Sequence, residues 1–160
     1  YMQNVNPLAR VNVSFADDKR DLDAWKQTKT DQLKVGICRG GQFLNVMNGG
    51  KLYQHVSNHA GPHIMYDALF NSEIKGATSS HHQQMIPGTT GEVLAYTTGV
   101  STVFMNERQV VKAPEIEAEV VYYHGTRCLC YQGHPEWISQ TSSEGIYFKL
   151  LLETFTKEAA

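Results

Sequence analysis

GICRGGQFLNVMNGG, residues 36–50, sets a cysteine midway between Gly36 and Gly40, at the seam between an apolar run and a helical pattern. Leu33, Val35 and Ile37 alternate as a buried strand does, and Phe43, Leu44 and Met47 recur at the spacing of a helix face that Gly49 and Gly50 can end. Cys38 therefore falls on a strand-to-helix turn. Such a turn holds a nucleophile clear of its own backbone and crowds the residues around it, which explains glycine at Gly36 and Gly40. The helix that starts beneath Cys38 aims free N–H groups and a positive dipole end at the sulfur, which favours the thiolate and can hold an oxyanion. A buried cysteine in an ordinary glycine-rich turn fits the same five residues equally well.

Outward from this turn, DDKRDLDAWKQTKTDQ (residues 17–32) is charged and helix-compatible, with Ala24 and Trp25 as a narrow apolar face, so it reads as a surface helix. Downstream, KLYQHV, HIMYDALF, VLAYTT and STVFMN read as short strands, and AEVVYYHGTRCLCYQ as a hairpin about His124, Gly125 and Thr126. Ser142 and Ser143 can cap a last helix whose apolar face is Ile146, Leu150, Leu151 and Phe155. This order predicts an α/β domain with a mixed sheet, a single domain over residues 1–160.

Composition narrows the function. The 160 residues are 41% hydrophobic and 19% charged with a net charge of −2, and the basic residues form no stripe, so no nucleic-acid partner is expected. No apolar segment approaches the ~20 residues of a membrane helix and no secretory leader is recognisable, so the expected location is the cytoplasm. Three cysteines without framework spacing argue for a reducing compartment. Cys128 and Cys130 share one face of a strand and read as buried thiols, with metal ligation the lesser alternative.

A second stretch, QGHPEW at residues 132–137, follows the second strand of that hairpin. A catalytic thiol needs a base, and the base needs a partner to hold its tautomer. Side chains at i and i+2 of an extended chain project to one side, and Pro135 favours extension, so Glu136 can accept the proton of one imidazole nitrogen of His134. Alone, the stretch would read as a solvated polar strand end.

Together the two stretches resemble the class I glutamine amidotransferases, most closely the branch containing gamma-glutamyl-gamma-aminobutyrate hydrolases. GICRGGQFLNVMNGGKLYQ (36–54) is similar to that branch's nucleophile segment, SSHHQQMI (79–86) to its HHQ element, and HPEW (134–137) to its base motif. QNVNP at residues 3–7 looks like the family's loop ending in D-V-x-P. The resemblance implies an amidotransferase-like (flavodoxin-like) fold, with Cys38 as nucleophile, His134 as general base and then acid, Glu136 as orienting carboxylate and the Arg39 amide as an oxyanion donor. It implies that Gln42 and the segment Ser79, Ser80, His81 and His82 contact a glutamine head group. Gly41 stands where the branch commonly has a larger residue and is expected to soften the helix start by up to ~1 kcal/mol without touching the chemistry. Only residues 1–32 precede the nucleophile strand, whereas the family's two or more β-α units would need on the order of 60 residues, so the domain reads as N-terminally shortened, with its second oxyanion amide unaccounted for.

The expected activity is hydrolysis of a γ-carboxamide, of glutamine or a γ-glutamyl amine, through a thioester, without a cofactor. The partners are a small-molecule substrate and, for an amidotransferase, a separate synthase chain or further copies of this one. Two rivals stand beside it: an inactive binding or regulatory relative, and a structural metal protein using Cys128, Cys130 and nearby histidines. His55, His59 and His63 stand four apart, but Gly61-Pro62 breaks any helix that would line them up, so no metal is expected; His81 and His82 read as positioning a substrate loop.

Overall fold

A computed structural model describes residues 15–77, 79–106 and 109–157. QNVNP lies outside them. The charged segment forms α1 (Phe15–Gln27), and the glycine-flanked cysteine joins β1 (Lys34–Ile37) to α2 (Arg39–Met47). Short strands follow: β2 (Lys51–Tyr53), β3 (His55–Val56), β4 (His63–Asp67), β5 (Glu73–Ala77), β6 (Gln84–Ile86), β7 (Glu92–Thr97), β8 (Phe104–Asn106) and β9 (Gln109–Val111). The hairpin β10 (Glu117–Tyr123) and β11 (Cys128–Tyr131) turns at His124–Thr126, and α3 (Ser143–Lys157) closes the described chain.

The main sheet has six strands in the order β1-β11-β10-β7-β4-β5. Only β1 and β11 run parallel within it; the other pairs are antiparallel, so the sheet is mixed as expected. Smaller sheets join β2 to β6 and β3 to β8 and β9. Every residue of β10 and β11 is buried, because helices cover both faces. On one side Val120, Tyr122, Leu129 and Tyr131 pack with Tyr147, Leu151 and Phe155 of α3. On the other Val121, Tyr123, Cys128 and Cys130 pack with Phe43 and Leu44 of α2 and with Leu22 and Trp25 of α1. The two cysteines thus share a face and are fully buried.

Three expectations shift. Val35 is 40% exposed, because β1 is the outermost strand of the sheet and that side chain lines a groove with Trp25, Leu33 and Phe43. Its neighbour Lys34 is buried instead, donating to the carbonyls of Lys29, Gln32 and Thr126 at 2.7, 2.7 and 2.8 Å. The core face of α3 is Tyr147, Leu151 and Phe155, while Ile146 and Leu150 point outward. Tyr147 wins the core position because its hydroxyl reaches the Leu94 carbonyl, and further along the same face Phe155 stacks on Tyr122 at 3.7 Å. Ser142 caps the helix, accepting from the Gly145 N–H at 3.1 Å.

Candidate active site

The register of β1 on β11 sets Ile37 opposite Tyr131, and the next amide, that of Cys38, donates to the Tyr131 carbonyl at 2.7 Å. The chain then reverses into α2 with Cys38 at φ 49° and ψ −110°, left-handed space that a cysteine enters only at a cost of about 1–3 kcal/mol. A side chain at Gly36 would strike the carbonyl carbon and oxygen of Gly40 at 2.4 Å, so glycine there is a steric necessity. Gly40 has open space around it. The second required glycine is Gly41, whose missing Cβ would stand 2.7 Å from the Tyr131 carbonyl oxygen, so the position expected to be chemically neutral is the one at which α2 crosses the strand end.

The sulfur of Cys38 is half-buried. Burial pushes its pKa up, the Arg39 N–H acting on it pulls the other way, and the nearby charge of Glu136 pushes it up again; the net shift is upward, so the thiol is favoured where the helix dipole alone suggested a thiolate. The Arg39 amide hydrogen is therefore turned toward the sulfur. The Arg39 guanidinium extends outward to Asp18 and Asp21 of α1, tying that helix to the start of α2.

Three residues beyond Tyr131, His134 leaves the sheet at the same end as Cys38. Its Nδ1 lies 2.7 Å from Glu136 Oε1, the partnership expected from the sequence, although Pro135–Trp137 form a 3-10 turn and not an extended chain. Proline suits the first position of that turn because its missing N–H is not needed there. The imidazole lies flat on Trp137, centroids 3.6 Å apart. With Nδ1–H given to Glu136, Nε2 is left as the basic nitrogen. Among the described residues no hydrogen bond runs between Cys38 and His134.

Of the other expected residues, Gln42 is buried, its amide donating to the Gln83 carbonyl at 2.8 Å and facing Gln132 at 3.4 Å. It braces the loop at residues 79–83 against α2. Ser79 is also buried, its hydroxyl donating to the His59 carbonyl at 2.5 Å, and His81 is buried with Nδ1 2.8 Å from the Gln83 carbonyl. Ser80 and His82 are exposed. Gln83 and Gln132, which sequence reasoning passed over, hold Gln42 in place.

Sequence reasoning also missed a buried polar cluster behind that loop. His59 Nδ1 lies 2.8 Å from Glu117 Oε2 and 2.7 Å from Ser101 Oγ, and its Nε2 lies 2.7 Å from Glu119 Oε1. Burial disfavours charge on His59, but the hydrogen bonds from Glu117 and Glu119 outweigh it and raise its pKa to about 9. Burial would raise Glu119, yet its hydrogen bond with His59 and the closeness of His63 take it down to about 2; burial lowers His81 to about 4. The ring of His63 meets that of His59 edge-on, centroids 4.9 Å apart. Gly61-Pro62 does prevent a helix here, but the bridge between Ala60 and Ser80 and the start of β4 bring His59 and His63 together by another route, while His55 bonds Ser57. The readable signal was Glu117 and Glu119 inside an otherwise apolar strand.

The sequence profile of the family described as Peptidase C26 matches residues 18–136. Among solved structures the chain is similar to a putative GMP synthase component from Thermoplasma acidophilum, with a TM-score of 0.57 and 15% identity over 80% of this chain and 59% of that one. It is similar also to a glutamine amidotransferase from Thermotoga maritima, TM-score 0.50, 17% identity, 90% of this chain and 62% of that one. A third, a glutamine amidotransferase from Methylobacillus flagellatus, gives 0.52 at 13% identity over 79% and 47%. The chain thus spans less than two thirds of the length of these structures. No curated protein sequence matches it.

Proposed function

The chain belongs to the Peptidase C26 family, within the class I glutamine amidotransferase-like proteins, and from that membership we propose that it hydrolyses a γ-carboxamide through a thioester on Cys38. The substrate is glutamine or a γ-glutamyl amine. The observation that carries the reading is the left-handed Cys38 at the end of β1, beside a strand whose exit supplies a histidine with an oriented tautomer.

In this reading the Cys38 thiol gives its proton to His134 Nε2 as sulfur attacks the carboxamide carbon, and the Arg39 amide stabilises the oxyanion. The C–N bond then breaks, with His134 returning the proton to the departing nitrogen, so ammonia or an amine leaves and an acyl-thioester remains. Water attacks that thioester, losing a proton to His134, and collapse restores the thiol and frees the γ-carboxylate. A thiol with a raised pKa suits a transfer that begins only when substrate draws Cys38 and His134 together. Ser80 and His82, exposed on the loop braced by Gln42, are the side chains free to meet the substrate. Delivery of ammonia to a separate synthase chain is the extension favoured by the likeness to the Thermoplasma synthase component.

The test is release of ammonia and glutamate from glutamine and from γ-glutamyl amines, with Cys38→Ala alongside. Turnover lost in Cys38→Ala supports the reading. Turnover equal in both proteins, or glutamine binding with no product, would favour the non-catalytic alternative, for which the absence of a Cys38–His134 hydrogen bond among the described residues is the motive.

A further inference from the structure

The cluster behind the loop packs two carboxylates into one buried space. Glu117 and Glu119 are 2% and 1% exposed, and among the described residues neither carboxylate meets a lysine or arginine; the basic groups facing them are the imidazoles of His59 and, at 3.7 Å from Glu119, His63. Two carboxylates buried with only imidazoles as basic groups against them need positive charge beside them, because protein interiors do not accept unpaired anions. Three buried atoms of the cluster lack partners: Glu119 Oε2, His63 Nε2 and His81 Nε2.

The orientation of the histidines is specific. His63 Nδ1 faces the Gly61 carbonyl at 3.2 Å and His81 Nδ1 the Gln83 carbonyl at 2.8 Å, so in each ring the Nδ1–H goes to the backbone and Nε2 turns inward. His63 Nε2 then lies 3.7 Å from Glu119 Oε1, a span that one ion bound to both atoms would fill. His59 Nδ1 is held by a carboxylate, the partner that commonly orients a metal-bound imidazole and raises its basicity. One donor atom from each of His59, His63 and Glu119 falls within 4.8 Å of the others, close enough to share one ion.

We propose that His59, His63 and Glu119 bind a divalent transition-metal ion, Zn²⁺ by the character of the donors, with Glu117 orienting His59 from behind. Two imidazoles and a carboxylate are a donor set that suits Zn²⁺. The ion displaces the proton between His59 Nε2 and Glu119 Oε1, so one proton is released, and its two charges neutralise the two carboxylates. The site is structural. It ties β10 to the chain at residues 59–63 and, through the bond of Ser79 to His59 and the bridge of Ala60 to Ser80, it stiffens the loop at residues 79–83. It involves none of the cysteines.

Titration of the chelator-treated full chain with ZnCl₂, followed by calorimetry and metal analysis, should give one ion per chain and a thermal midpoint that rises with ZnCl₂. Cobalt(II) in its place should give the visible absorption of a tetrahedral nitrogen and oxygen site, without the thiolate charge-transfer band. Glu117→Gln should weaken binding about 10–100-fold, and His63→Gln or Glu119→Gln by at least that much. Should Glu119→Gln not fold, His63→Gln at the edge of the cluster carries the test. The triple variant Cys38→Ala, Cys128→Ala, Cys130→Ala should bind as the parent does. Absence of stoichiometric binding, binding indifferent to His63→Gln, or binding lost with the cysteines would overturn the proposal and leave a proton-bridged cluster.

Discussion

The Cys38 amide donates to the Tyr131 carbonyl at 2.7 Å, one step beyond the last register pair of β1 and β11. That bond anchors the cysteine at the sheet's end while its φ of 49° turns the side chain out of the strand. A glycine would adopt this backbone without strain. Cys38→Gly should therefore be more stable than Cys38→Ala by about 1 kcal/mol or more, with both inactive. Urea unfolding of the two variants checks this, and equal midpoints would mean the turn is unstrained.

Gly40 and Gly41 are adjacent in sequence and opposite in tolerance. Gly40→Ala meets nothing within 4 Å and should gain up to ~1 kcal/mol of helix propensity. Gly41→Ala would press against the Tyr131 backbone and should lose about 1–3 kcal/mol. Denaturant midpoints that move in the same direction would show that α2 can slide off the strand end.

Alkylation by iodoacetamide should mark Cys38 before Cys128 or Cys130, which are fully buried. Because burial raises the Cys38 pKa, thiolate is scarce at neutral pH and the rate should climb about tenfold per pH unit through neutrality and beyond. Peptide mass spectrometry over a pH series measures it. A rate already level across neutral pH would mean the thiolate is preformed.

Lys34→Met removes an ammonium that three backbone carbonyls share. Leaving those acceptors unpaired in a half-buried corner should cost about 1–3 kcal/mol. Chemical unfolding monitored by circular dichroism would report it; an unchanged midpoint would mean water replaces the ammonium there.

Glu136→Gln should reduce turnover without unfolding the chain. In buried triads the loss of the orienting carboxylate costs about 10⁴ in rate, but Glu136 is 43% exposed and water can partly substitute, so about 10²-fold is expected. A glutaminase assay decides it. Full activity would remove Glu136 from the triad.

Local chemistry in the sequence determined the parts of this protein that depend on a few consecutive residues. The glycines and the change of period around Cys38 specify a strand, a turn and a helix; His124, Gly125 and Thr126 specify a hairpin; Ser142 caps α3; and His134 pairs with Glu136 two residues away. Tertiary structure decided everything that depends on which surfaces meet. Placing β1 at the sheet's edge exposed Val35 and buried Lys34, and a core contact at Leu94 selected Tyr147 over Ile146 on α3. The crossing of α2 over Tyr131 made Gly41 the constrained glycine. Strands as short as β6 and β9 carry too few residues for a periodic signal and exist because partners hold them. The cluster of His59, His63, His81, Glu117 and Glu119 shows in the sequence only as two carboxylates in an apolar strand, because its members lie up to sixty residues apart and only the pairing of the strands and loops that carry them brings their polar atoms into one buried space.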